Sequence, residues 1–170
     1  MLSTSHERER PVIRTAVIVA TVLAAGLSGC TFTNPQVTRY SYNPSDGTYA
    51  DLGSGVQADN LVVVTEAEGE PGAVVVRLVN SGGEPRRVTI AAEDLEETFT
   101  VPARETLAIG GVFEGSIPAV IDEVRTGTGL WMPMTLTVDG GQAQEVVVQV
   151  FDGTFPEYAP YLDVPELRDR

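Results

Sequence analysis

Lysine is missing from this chain: all 11 of its basic residues are arginine. Histidine and cysteine are nearly missing, with one each, His6 and Cys30. Both fall within the first 30 residues, so the chain beyond them offers no imidazole, no ammonium and no thiol. For that part, these absences exclude the base most enzymes use near neutral pH, Schiff-base chemistry, a cysteine nucleophile, a disulfide framework and a His/Cys metal site. Aromatic residues make up 6% of the chain and Trp131 is the single tryptophan, too few to mark a sugar cleft. Positive charge is scarce as well. Three of the 11 arginines and two of the 24 acidic residues precede Cys30, which leaves 8 against 22, a net −14. Such a surface repels nucleic-acid phosphates and anionic headgroups. No nucleic-acid partner is expected, and membrane attachment must be covalent or hydrophobic. No cofactor and no enzymatic activity are expected either. At 170 residues there is room for one ordinary domain.

What is present begins with the N-terminus. A polar stretch carrying Arg8, Arg10 and Arg14 leads into the uncharged run TAVIVATVLAAG over 15–26. A basic segment, a short apolar run and small residues before a cut describe a secretory signal. The run is shorter than the roughly 20 apolar residues that cross a bilayer comfortably. Leu27-Ser28-Gly29-Cys30 follows it. These four residues resemble a bacterial lipobox, in which the Cys thiol is acylated and the leader is removed just before it. The resemblance implies a signal peptide over 1–29 and a lipid on Cys30. It also implies a lipid-anchored protein on the extracytoplasmic face of the cell membrane. Two acyl chains, at about 0.8 kcal/mol per buried CH₂, hold a protein firmly there. The lysine-free, Ala/Val/Gly/Arg-rich composition fits a GC-rich bacterial genome.

Residues 30–54 are rich in Thr, Ser, Asn, Pro and Gly and show no sustained period, which reads as a polar tether. From Val56 the pattern turns to β. The runs at 61–64 and 73–80, the alternation over 87–91 and 98–101, and the short segment at 106–109 read as strands; 117–124 has a mixed pattern and reads as a strand or a strand-like turn. Residues 130–138 and 145–151 make the clearest hairpin, joined by Asp139-Gly140-Gly141, a tight-turn signal. Seven to eight short strands over 55–152 have the size of an immunoglobulin-like or cupredoxin-like β-sandwich. Residues 93–97 have the composition for one helical turn. The proline-interrupted tail over 153–170 is expected to be extended or disordered.

The pieces also resemble the actinobacterial envelope lipoproteins of the LpqE type. The resemblance rests on the lipobox, on Tyr42-Asn43-Pro44-Ser45-Asp46-Gly47, on 58–64 (ADNLVVV), on 76–80 (VRLVN), on 135–138 (TLTV) and on Phe155-Pro156-Glu157-Tyr158. That group is distantly similar to the periplasmic copper chaperones of the PCu(A)C type, whose sandwich holds Cu(I) with His and Met. The resemblance implies the fold, but here the ligands fail: the region of the expected His-x-Met pair reads Thr106-Leu107-Ala108-Ile109-Gly110. Met132 and Met134 are the remaining soft candidates for Cu(I). Residues i and i+2 of a strand share a face, but Pro133 between them suggests a loop leading into the strand, so Met134 is expected in the core with Met132 covering an edge, and no metal is assigned.

The carboxylates fall in polar stretches: Glu93, Asp94, Glu96 and Glu97, then Asp46, Asp51 and Asp59, then Asp122 and Glu123. None has EF-hand spacing, and a solvated acidic face is the expectation. Trp131 is expected at a core edge. The sequence therefore describes a lipid-anchored β-sandwich that binds or assembles, with an envelope protein as partner. The alternative is a copper-handling relative with a degenerate or Met-only site.

Overall fold

The computed structural model describes residues 15–17, 19, 45–112 and 114–168. The lipobox residues Leu27, Ser28 and Gly29, together with Cys30 and the first part of the tether, lie outside the described residues. Residues 15–17 and 19 are helical and exposed. Among the described residues, no helix is long and apolar enough to cross a membrane. The chain divides into two units, Met1–Tyr42 and Asn43–Arg170, and the second is the β domain.

Among the described residues nine strands build it: β1 (Thr48–Gly53), β2 (Val56–Thr65), β3 (Gly72–Asn80), β4 (Arg86–Ala92), β5 (Leu95–Val101), β6 (Thr106–Ile109), β7 (Val120–Ile121), β8 (Trp131–Val138) and β9 (Gln144–Phe151). Their order is β5-β4-β8-β9-β2-β3-β6, with β1 on β2 and β7 on β3. Strand β9 belongs to both layers. Its first part runs antiparallel to β8, from Leu136↔Gln144 to Trp131↔Gln149. Its end runs parallel to β2 through Val63↔Val150 and Val64↔Phe151. Alternation does the rest. Val56, Ala58, Leu61, Val63, Val74, Val76 and Leu78 from one layer meet Val88, Ile90, Phe99, Met132, Met134, Leu136 and Val148 from the other in a single core. The all-β sandwich expected from the pattern is the observed fold.

Two turns fix the register. Asp139 (φ 52°) and Gly140 (φ 70°) both have positive φ, and the Gly141 amide donates to the Val138 carbonyl at 2.9 Å. This is a type I′ turn, whose twist suits a hairpin. The Asp139 carboxylate also accepts from the Arg87 amide and the Arg86 guanidinium, each at 2.9 Å, which ties the hairpin to β4. The Arg87 amide, and then the Arg86 side chain, hold its pKa below the ordinary value. The second tie is Asn80, 1% exposed at the end of β3. Its Nδ2 donates to the carbonyls of Glu84, Pro102 and Val101, and its Oδ1 accepts from the Gly82 amide. One amide thus joins the end of β3, in one layer, to the end of β5, in the other.

Three sequence expectations need correction, and the strand-or-turn alternative at 117–124 is resolved. The tether is shorter than 30–54, because 48–53 is strand β1, paired with β2. The segment 117–124 holds two strand residues, β7, and an isolated bridge from Ile117 to Ile109. Residues 93–97 form no helical turn. Glu93 and Asp94 make the two-residue turn between β4 and β5, closed by Ala92↔Leu95, and Glu96 and Glu97 continue as strand. The tail is neither extended nor disordered through 168. It forms a 3₁₀ turn over Ala159–Asp163 and a helical turn over Pro165–Arg168. Tyr158, Val164 and Leu167 are buried. The reason lies on β2 and β3, whose apolar runs are buried on both faces. Val63, Val74 and Val76 face the main core. Val62, Val64 and Val75 face outward and are covered by Tyr158, Tyr161 and Leu162.

Candidate functional site

The two methionines singled out for copper both point inward. Met132 is 0% and Met134 1% exposed, side by side on the core face of β8. Met132 is as deep as Met134 and covers no edge, a correction to the sequence expectation. Pro133 between them is exposed and lies beyond the stretch of β8 that pairs with β4, where a missing N–H is tolerated. Both thioethers are packed among aliphatic side chains, so an ion would reach them only if the core opened.

The acidic residues are dispersed and locally engaged. Glu93 pairs with Arg125 at 3.2 Å. Asp94 accepts the Asp122 amide at 3.1 Å, and Asp51 accepts the Gly53 amide at 3.0 Å. Among the described residues, no group of three His, Cys, Asp or Glu could hold a metal ion.

The outward face of β8 and β9 is different. Register places Trp131 opposite Gln149 and Pro133 opposite Val147. With Met132 and Val148 turned inward, Trp131, Pro133 and Val147 share the outer surface. Leu130, Trp131 and Val147 are 59%, 57% and 58% exposed. Trp131 therefore lies on the solvent side of its strand and not at a core edge. Thr48 of β1 donates its hydroxyl to the Val147 carbonyl at 2.7 Å, so this end of β9 is held in place.

Two residues further along that face stands Phe151, the entrance to an aromatic corner that the sequence reading did not assemble. Phe151 and Tyr158 stack with centroids 4.5 Å apart at 17°. Phe155 stands at 82° to Tyr158 with centroids 6.5 Å apart. The Tyr158 hydroxyl donates to Asp46 at 3.1 Å. Burial, then this hydrogen bond to a carboxylate, pushes the phenol up to about 12. A cavity of about 370 Å³ opens here, lined by Asp46, Gln149, Phe151, Phe155, Glu157 and Tyr158. Its backbone is fixed. Thr154 donates its amide to Asp152 at 2.9 Å, and the Phe155 carbonyl accepts from the amides of Tyr158 and Ala159. Five of the six lining residues come from β9 and the tail, which the sequence treats as separate segments. The i, i+3 spacing of Phe155 and Tyr158 was the one local sign that a turn brings rings together.

No family model matches the chain, and no curated protein matches it. Solved structures do. The apo PCuAC domain from PmoF1 superposes with a TM-score of 0.50 at 13% identity, over 62% of this chain and 99% of that one. The copper-bound PCuAC domain from PmoF2 gives 0.47 at 15% identity, over 62% and 98%. The apo PmoF2 PCuAC domain gives 0.47 at 17%, over 63% and 96%. At these identities the likeness is one of architecture: the sandwich described above is similar in fold to the PCuAC domain from PmoF1.

Proposed function

We propose that this chain is a lipid-anchored module on the extracytoplasmic face of the cell membrane that binds or assembles with an envelope protein and does not catalyse a reaction. Leu27-Ser28-Gly29-Cys30 behind an apolar run supports the anchor. The observation that carries the binding role is the outward face shared by Trp131, Pro133 and Val147, all three exposed. Contiguous exposed apolar side chains rimmed by polar residues mark contact surfaces, and tryptophan is enriched among the residues that dominate such contacts. Detergent-solubilised envelope passed over the immobilised full chain is expected to yield a stoichiometric partner that Trp131→Ala and Val147→Asp no longer retain. Retention unchanged in both variants overturns this assignment of the face. The anchor is tested separately: Cys30→Ala should leave an uncleaved, unacylated precursor, and normal maturation of that variant refutes it.

The second reading, a copper-handling relative, is favoured by the fold likeness to a PCuAC domain. It meets the burial of Met132 and Met134. Competition for Cu(I) against a chelator decides it. Binding tighter than about micromolar that Met132→Leu/Met134→Leu abolishes would establish that reading.

A further inference from the structure

We propose that the outer face of the β5-β4-β8-β9 layer docks a basic segment of a partner protein, with apolar side chains of that segment on Trp131, Pro133 and Val147 and its Arg or Lys residues against Glu96 and Glu145. This rests on the binding role already given to that face and names the chemistry of the partner. Register lays the face out. Ala91 of β4 stands between Glu96 of β5 and Thr135 of β8, and Thr135 stands opposite Glu145 of β9. With Ile90 and Leu136 turned into the core, alternation points these four outward. They form one row across the layer, with small side chains in the middle and a carboxylate at each end. Strands lie about 4.8 Å apart, so the ends of the row are about 14 Å apart. The middle is a trough. A cavity of about 510 Å³ opens along it, and Pro133 lines it too, which makes the trough continuous with the apolar platform. Glu145 is also close to that platform, about 7 Å along β9 from Val147.

Charge selects the occupant. Four of the nine residues lining the cavity are carboxylates and none is basic. Glu93 is partly neutralised by Arg125 at 3.2 Å. Glu96 and Glu145 are exposed, and among the described residues neither makes an ion pair. A second copy of this chain would bring the same carboxylates and the same net negative charge, and a two-fold contact would set like against like. An anionic bilayer surface is repelled for the same reason. A small polyamine carries the charge but has no apolar side chain to cover Trp131 and Val147. A protein segment with Arg or Lys beside apolar residues supplies both. The alkyl stem of such a residue lies over Ala91, Thr135 and Pro133 while its head reaches a carboxylate. The apolar contact at Trp131 then holds the complex, and the charges set its encounter rate and salt dependence.

Trp131 is the single tryptophan, so its emission reports on this face without a label. The full chain in a maltoside detergent is titrated with three synthetic peptides: acetyl-GRVRLRG-amide, its acidic counterpart GEVELEG and its polar counterpart GRSRSRG. The first should move the emission to the blue and saturate at about millimolar concentration or below, and the other two should not. Glu96→Gln/Glu145→Gln, both at exposed positions, should weaken the first peptide about fivefold at low ionic strength, and about 0.3 M salt should erase most of that difference. Val147→Ser should weaken it at either salt concentration. In a second arm, the protein retained from solubilised envelope should leave Glu96→Gln/Glu145→Gln at a lower salt concentration than it leaves the wild type. Retention that needs Trp131 but is indifferent to the two glutamates overturns this inference and leaves the face standing as a binding surface. Retention indifferent to Trp131→Ala as well overturns the reading beneath it. The inference is also overturned if no peptide shifts the emission saturably, if the acidic or the polar peptide does so as well as the basic one, if spermidine or phosphatidylglycerol vesicles do so, or if sedimentation shows the chain self-associating through Trp131.

Discussion

Asn80→Asp changes one atom of a side chain that is 1% exposed and inverts its hydrogen bonding. The native amide gives its protons to Glu84, Pro102 and Val101 at 2.8, 3.0 and 3.2 Å. A carboxylate has none to give. Each lost bond is worth about 0.5–1.5 kcal/mol net, and more where a carbonyl is left without water. An NH₂ has two protons, shared here among three carbonyls, so two bonds' worth, about 2 kcal/mol, is lost before charge is counted. Ionised, the new group would face three carbonyl oxygens, so burial and repulsion raise its pKa in the folded state above the ordinary value of about 3.9. In the window between those two values the folded chain holds a proton that the unfolded chain has lost. Stability relative to wild type is therefore highest below the window and falls as pH rises through it. With about 4 °C per kcal/mol for a domain of this size, the melting temperature should drop by about 4 °C at low pH, where the protonated carboxyl keeps one donor, and by about 8 °C or more at neutral pH. Asn80→Ala, which adds no charge, should cost about 2 kcal/mol at every pH. Thermal and urea melts at about pH 4 and pH 7 measure both. A loss under about 0.5 kcal/mol, or an equal loss at both pH values for the Asp variant, would refute the role given to this side chain.

Leu136→Ala should cost about 2–5 kcal/mol in urea melts, since it opens a cavity in the shared core. Met132→Leu nearly conserves volume and should cost less than about 1.5 kcal/mol. Ending the chain after Phe155 strips the cover from Val62, Val64 and Val75. At about 1.5–3 kcal/mol per buried apolar side chain, less the entropy of ordering the tail, the melting temperature should fall by many degrees; an unchanged value would show that the tail is dispensable. Spectrophotometric titration should find one phenol ionising near 12, absent in Tyr158→Phe. Because that proton is retained in the folded chain and lost in the unfolded one above about 10, the wild type should lose stability as pH rises from there toward 12.

Much of the sandwich was legible because its signals are local. Alternation in β8 and β9 and the Asp139-Gly140 pair gave the hairpin to within a residue at every end, with observed strands at Trp131–Val138 and Gln144–Phe151. The tail was not legible in its own sequence, since three prolines interrupt any period. Its trace lay elsewhere, in the unbroken valines of β2 and β3. A strand with one wet face alternates, and these do not, so something had to cover their second face. Met132 was placed at an edge because Pro133 suggested a loop, yet β8 continues through it once β4 is no longer alongside. The aromatic corner was invisible for a different reason. Asp46 stands 112 residues before Tyr158, and no periodicity reports a contact that depends on where the tail folds back.

Strand β9 closes this fold over a long span: Val63 pairs with Val150, 87 residues later. Contacts of such separation are entropically expensive to reach and slow to form. Until residues 144–151 arrive, the Val62–Val64 end of β2 lacks a neighbour on that side, and a bare valine edge is a template for another chain. The order in which the polypeptide becomes available therefore sets its exposure to self-association, and the last strand to arrive is the one that ends it.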